Sequence, residues 1–259
     1  MTFTEAEITS LVASVMWPMI RIGALFAAVP VFSNKQLSIK VKVLLSLFLA
    51  LMISPMLGPM PPVEIFTPEF VYVLFNQVAI GIVMGFSLQM VFGTLAIAGE
   101  MVGYSMKLGM AKMADPINGI QVPIVTTLYI TLGMLIILVL DIHLVMIQLL
   151  VESFQVFPVG MDGISRDILW DLIGWGTRMY EIGLLMSLPI VGSILLLDIA
   201  QGVMQRAAQQ LQIFAIGFPI TLIAGMVLIW VTLPAVLDIF IDALNELIRV
   251  IRDVVLVRN

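Results

Sequence analysis

Apolar residues do not alternate along this chain. They run in long blocks, separated by short stretches where charge, proline and glycine collect. A helix crosses the roughly 30 Å hydrocarbon core of a bilayer with about 20 mostly apolar residues. Six blocks reach that length: about residues 9–32, 39–57, 70–98, 124–150, 170–197 and 214–237. The third, fourth and fifth exceed a straight crossing, which predicts tilt, kinks or extension beyond the lipid. Pro18 and Pro189 lie inside blocks and predict kinks, because packed neighbours can satisfy the freed carbonyls. The pattern predicts an all-α, polytopic membrane-type fold, with residues 1–259 as a single membrane-associated domain.

The connections differ in character. Residues 33–38 are a short link into Lys40 and Lys42, while 58–68 carries Pro59, Pro61, Pro62 and Pro68 and reads as a stiff extended turn. Residues 99–123 form a long stretch expected to be irregular. Residues 155–169 carry Asp162, Arg166 and Asp167, and 198–212 is polar and glutamine-rich, so both are expected to connect spans. Paired small residues at four-residue spacing (Gly81 with Gly85, Gly99 with Gly103, Gly183 with Ser187) predict close helix packing.

Charge orients such a chain, because lysine and arginine favour the cytoplasmic side. Lys35, Lys40, Lys42, Lys107, Lys112 and Arg206 then share one face, and the N-terminus with Glu5 and Glu7 lies outside. Two glutamates and no basic residue in the first ten positions reverse a secretory leader's pattern, so the first block is expected to stay in the mature protein. Six spans also place the C-terminus outside, although it carries Arg249, Arg252 and Arg258. That conflict predicts either a tail that folds back as a further helix or a chain that does not sit in the bilayer as an ordinary six-span protein does.

Composition narrows the function classes. Of 259 residues, 61% are hydrophobic and 11% charged, against roughly 45–50% and about 25% in soluble domains. Lipid or partner subunits must cover the remaining apolar surface. The net charge of −5 and the lack of a long basic run argue against nucleic acid as a partner. Without cysteine, disulfides and thiolate chemistry are excluded, and the single His143 excludes a multi-histidine metal centre within one chain. No cofactor, metal or enzymatic activity is expected.

Few side chains could carry chemistry. Asp141 and His143 read as a proton relay or, more simply, as a helix-end pair wetted at the interface. Arg178 and Glu181 stand three apart and can pair on one helix face. Arg21 has no local partner and is expected to pair with another helix or another subunit. Together with Asp198, Asp238 and Asp242, these charges are spread along the chain, whereas a transporter concentrates polar groups near mid-membrane. Structural neutralisation and an ion path both remain open.

Residues 99–123 are the most informative. Gly99, Gly103, Gly109 and Gly119, with Pro116 and Pro123, argue against a continuous helix. Met101, Met106, Met110 and Met113 add unbranched, adaptable apolar bulk. The combination suits a deformable apolar seal equally well as a re-entrant packing segment.

At this stretch and at three flanking motifs, the chain resembles the FliR/SctT family of subunits from the export gate of bacterial flagellar and type III secretion systems. Arg21 followed by Val29-Pro30-Val31-Phe32 is similar to that family's arginine and proline-valine-phenylalanine signature. Ala98-Gly99 through Gly103 and Gly109 to Asp115-Pro116 resembles its glycine-rich loop. His143, then Glu152-Ser153-Phe154 and Phe157-Pro158-Val159-Gly160, resembles its histidine and serine-phenylalanine segment. Arg206 followed by residues 213–219, ending Gly217-Phe218-Pro219, resembles its late glycine-phenylalanine-proline motif. The motifs keep the family's order over nearly the whole chain. Departures are Asp141 and Ile142 where two glycines are common, Gln209 and Gln212 for a proline and an asparagine, and Gln77 for a glutamate.

The resemblance leans to the flagellar branch and implies a single-copy subunit of a helical gate. Its partners would be several FliP and FliQ subunits, with FlhB alongside. It implies a bacterial inner-membrane protein of the flagellar basal body, in a gate that projects to the periplasmic side, largely above the membrane plane, with helices covered by partners rather than lipid. Residues 1–154 would be a FliP-like helical part and 155–259 a FliQ-like hairpin with a tail. The loop around 106–122 would be the plug of a channel for unfolded export substrates. Met106, Leu108, Met110, Met113 and Ile117 would form the seal, with Asp115 and Pro116 in the same loop and Gly109 and Gly119 giving mobility. Arg21, Asp141, His143, Arg178, Glu181 and Arg206 would be buried polar or inter-subunit residues. On the residues alone, a secondary transporter using Asp141, His143 and Arg21, or a membrane enzyme depending on His143, stays as a rival.

Overall fold

A computed structural model describes residues 5–30, 38–57, 60, 67–108, 124–160, 163, 165–207 and 213–256. No strand occurs among the described residues. The helices are α1 (Glu5–Ala28), α2 (Ile39–Leu57), α3 (Pro68–Ser105), α4 (Ile124–Val139), α5 (Ile142–Val156), α6 (Arg166–Ala207) and α7 (Ile213–Leu256). Among the described residues, five stretches are long and apolar enough to cross a membrane, or six if the bent α4–α5 pair counts as one span. The chain is an all-α, polytopic membrane-type protein.

Three helices outrun the blocks that predict them. At 1.5 Å per residue, α3, α6 and α7 have contour lengths of about 57, 63 and 66 Å, roughly twice a bilayer core. Helix α3 continues through Gly99 and Gly103 to Ser105, correcting the expectation of irregular backbone from residue 99. Gly99 is there for closeness: a Cβ on it would stand 2.5 Å from Thr126 Cα and 2.8 Å from Thr126 N. Residues 198–207, expected as connection, extend α6, since alanine, glutamine, methionine and arginine are all good helix formers. Among the described residues the tail forms no separate helix. It prolongs α7, which also carries Pro219 and Pro234 internally.

The fourth block is broken where no proline or glycine stands. Helices α4 and α5 meet at a 68° bend. Asp141 there adopts φ 54°, ψ 23°, a left-handed conformation that ends one helix and starts the next. Among residues with a Cβ, aspartate and asparagine tolerate that region best.

The chain divides into two compact units. The first comprises residues 1–90, 137–175 and 246–259, the second 91–136 and 176–245. In the first, α1 packs against α2, and α2 also touches α5. The start of α3 lies so close to α1 that a Cβ on Gly81 would overlap the Arg21 carbonyl. One on Gly85 would stand 2.6 Å from Ala28 Cβ and 2.8 Å from the Leu25 carbonyl. Trp17, Ile22, Phe26, Ile80, Met84 and Leu149 fill the core around this crossing, and Trp17 packs on Phe70 with ring centroids 5.4 Å apart.

In the second unit, the end of α3 is gripped by α6 and α7. Phe92 meets Phe240 edge-on at 5.8 Å. A Cβ on Gly183 would stand 2.8 Å from Ile97 Cβ, and the Ser187 hydroxyl donates to Met101 Sδ at 3.3 Å. The paired small residues therefore act in packing at positions 81, 85, 99, 183 and 187. Gly103 meets nothing within 4 Å.

Long apolar side chains point outward. Leu44, Phe48 and Met52 on α2, Leu188, Leu195 and Leu196 on α6, and Ile223, Met226 and Trp230 on α7 are all exposed in the single chain. Only 17% of the most apolar stretch of α2 and 22% of that of α7 is buried, against 61% for α3. Helices α2 and α7 thus present faces that lipid or partner helices must cover.

Candidate functional site

Among the described residues, Arg21 is the one charged group that is buried, with 0% of its surface exposed. It lies about two-thirds of the way along α1, and its guanidinium has three neutral acceptors. Nε donates to Gln77 Oε1 on α3 at 2.9 Å, Nη1 to the Ser153 hydroxyl on α5 at 3.0 Å, and Nη2 to the Phe157 carbonyl at 2.8 Å. The Phe154 ring stacks 3.8 Å from the guanidinium carbon. Ser153 in turn donates its own proton to the Leu150 carbonyl at 2.6 Å, which leaves its lone pairs free for Arg21. The partners of Arg21 are therefore two other helices of the same chain, α3 and α5.

The local sequence explains why a cation is tolerated there. Pro158 lies two residues past the last residue of α5, Val156, and disfavours continuing the helix. Ser153, Phe154 and Phe157 form the terminal turn, where unpaired carbonyls give the helix end about half a negative charge. Arg21 caps that end, and the aromatic face adds quadrupolar attraction. Gln77 completes the cage, and its Nε2 has no partner among the described residues. A mainly apolar cavity of about 60 Å³ adjoins Ser153 and Phe157, bounded also by Met84, Trp175 and Ile251.

Two motifs far apart in sequence thus converge: the arginine of the first block, and the Ser153-Phe154 to Phe157-Pro158 segment. The other polar residues singled out by sequence stand elsewhere. Asp141 is exposed at the α4–α5 bend, with no capping hydrogen bond from its side chain. His143 is half-buried, and its Nδ1 has no partner among the described residues. Arg178 pairs with Glu181 at 2.8 Å on the surface of α6, and Arg206 is exposed in that helix's last turn. Of these six residues, Arg21 alone is fully buried within the chain.

Of the expected plug residues, the structure describes Met106 and Leu108. Met106 is 1% exposed, and a Cβ placed on Gly225 of α7 would stand 2.6 Å from its Cγ and Cε. Leu108 is half-buried. Gly109, Met110, Met113, Asp115, Pro116, Ile117 and Gly119 lie outside the described residues.

Between them stands a contact that the sequence did not signal. Lys107 Nζ lies 2.7 Å from Asp198 Oδ1 on α6, and both side chains are about one-third exposed. Lys107 holds φ 60°, the left-handed position that closes α3, with its N–H donating to the Tyr104 carbonyl at 3.0 Å. Nearby in chain order, Gln201 Nε2 donates to Thr221 Oγ1 at 3.3 Å, tying α6 to the glycine-phenylalanine-proline start of α7. Neither pairing has a local sequence signal, because its members are 91 and 20 residues apart.

The pattern for bacterial export proteins, family 1, matches residues 12–247. The chain belongs to that family. It is 32% identical over 254 residues to the flagellar biosynthetic protein FliR of Pectobacterium carotovorum subsp. carotovorum, covering 98% of this chain and 97% of the relative. With the protein of that name from Escherichia coli (strain K12) it shares 30% identity, over 92% of this chain and 91% of the other. With that from Bacillus subtilis (strain 168) the identity is 25%, over 90% and 93%. The arginine cage, the closely packed glycines and the end of α3 all fall within the stretch the family pattern covers.

Proposed function

We propose that this chain is a subunit of a flagellar protein export gate in the bacterial inner membrane. One copy assembles with FliP and FliQ subunits, beside FlhB. The observation that carries this reading is similarity along almost the entire chain to proteins named flagellar biosynthetic protein FliR. Helices twice as long as a bilayer core, with apolar faces left uncovered, fit a subunit wrapped by partner helices and projecting to the periplasmic side. In this reading residues 1–154 form a FliP-like part and residues 155–259 a FliQ-like hairpin with its tail.

The segment that begins at Met106 closes the channel against small ions and yields to unfolded substrates. Met106, Leu108, Met110, Met113 and Ile117 supply the apolar seal, and Gly109 and Gly119 the freedom to move. Arg21 fixes the scaffold, while Asp141, His143, Arg178, Glu181 and Arg206 face partner subunits. Deleting residues 110–117 in the assembled gate tests this directly. A rise in ion conductance across the membrane is expected, and an unchanged barrier with normal assembly contradicts the plug.

A further inference from the structure

Helix α3 ends in an arrangement that is costly in the backbone and secured twice from outside. Lys107 takes a left-handed conformation that residues with a Cβ rarely adopt and that glycine usually fills at helix ends. A lysine there has its side chain as compensation, and that side chain ends 2.7 Å from the Asp198 carboxylate on α6. The preceding residue, Met106, is buried in a slot that exists because position 225 on α7 lacks a Cβ. Consecutive residues thus tie the end of α3 to two different helices, one tie ionic and part-exposed, the other apolar and buried.

The two ties differ in how they release. A part-exposed ion pair is weak and exchanges readily with water, whereas withdrawing a buried methionine opens a void. We propose that Lys107 and Asp198 are a positioning pair for export: their contact keeps Met106 seated against Gly225 in the leak-tight state and separates when the channel opens. This deepens the reading of residue 106 onward as the barrier and rests on it.

The absence of cysteine from the chain makes the test clean. K107C and D198C together, in an assembled export apparatus whose partner subunits lack cysteine, can be bridged by a bis-methanethiosulfonate reagent that reductant cleaves. In inverted membrane vesicles, the bridge is expected to abolish substrate export while the membrane stays tight, and reductant to restore export. Each single-cysteine variant, treated alike, keeps exporting. A tie with only a structural role tolerates being made covalent, so export at the unbridged rate overturns the proposal.

Charge exchange supplies a second measurement. K107D or D198K alone is expected to raise resting ion conductance, and K107D with D198K to return it toward the original value. D198N replaces any reversal that does not assemble. Tight membranes in every assembled variant also overturn the proposal. If deleting residues 110–117 causes a leak but the bridge is harmless, the pair's role fails alone. If that deletion leaves the barrier intact, the plug reading itself fails.

Discussion

Arg21 and Phe157, 136 residues apart in the chain, are joined by a 2.8 Å hydrogen bond from guanidinium to backbone carbonyl in the buried heart of the first unit. Removing the arginine takes one donor each from Gln77, Ser153 and Phe157 and empties a large volume. Arg21→Ala is expected to lower stability by about 3 kcal/mol or more. Arg21→Lys recovers little, since one ammonium cannot serve three acceptors held in different directions. Melting of the purified complex in detergent measures both, and a lysine variant as stable as the parent contradicts the planar-fork role.

Position 77 predicts a change of opposite sign. Gln77 offers Arg21 one oxygen and leaves its Nε2 without a partner among the described residues. Gln77→Glu supplies a charged acceptor and removes that donor, so a gain of about 1 kcal/mol is expected. A lower melting temperature for this variant contradicts the account of a buried cation that gains from replacing one of its three neutral acceptors with a charged one.

The crossing of α1 and α3 depends on an absent side chain. A Cβ on Gly85 would lie 2.8 Å from the Leu25 carbonyl and 2.6 Å from Ala28 Cβ, so relief requires moving backbone. Gly85→Ala is expected to cost about 1–3 kcal/mol by overpacking. Gly103→Ala, where no atom of the described residues stands within 4 Å of the new Cβ, serves as the control and is expected to leave the complex as stable or slightly more stable through helix propensity. Comparing the two melting temperatures separates packing from propensity.

At the other contact of this kind, the obstacle is a side chain. Gly225→Leu is expected to drive Met106 from its slot and raise resting ion conductance, while Met106→Ala in the same chain relieves the clash and lowers it again. Conductance of vesicles carrying the assembled gate measures this. Independent, additive effects of the two substitutions contradict direct contact.

Asp141 gives the smallest expected change. Its φ of 54° suits glycine better than any residue with a Cβ. Because its side chain makes no capping bond, little is lost on truncation. Asp141→Gly is expected to raise stability by up to about 1 kcal/mol. A marked loss in melting of the purified complex contradicts the expectation that backbone conformation outweighs any contact this carboxylate makes with partner subunits.

Block length and the small-residue spacings made the helices and their closest packing legible, because both are local properties of helices in lipid. Helix ends were harder to read. Gly99 punctuates a sequence but serves α3 by approaching Thr126, and the polar run after Asp198 belongs to good helix formers. The α4–α5 bend was hidden because aspartate can take the left-handed position that glycine advertises. Arg21 stood out as a lone charge needing a distant partner, yet its cage of amide, hydroxyl, carbonyl and ring has no spacing rule. Lys107 and Asp198 were each visible as charges, but their meeting is a product of the fold.

Native mass spectrometry of this chain co-expressed with FliP and FliQ subunits from the same genome is the most direct test of the gate assignment. A discrete complex holding one copy of this chain is predicted, with the chain aggregated or degraded when expressed alone. A stable lone chain or homodimer under the same conditions contradicts it.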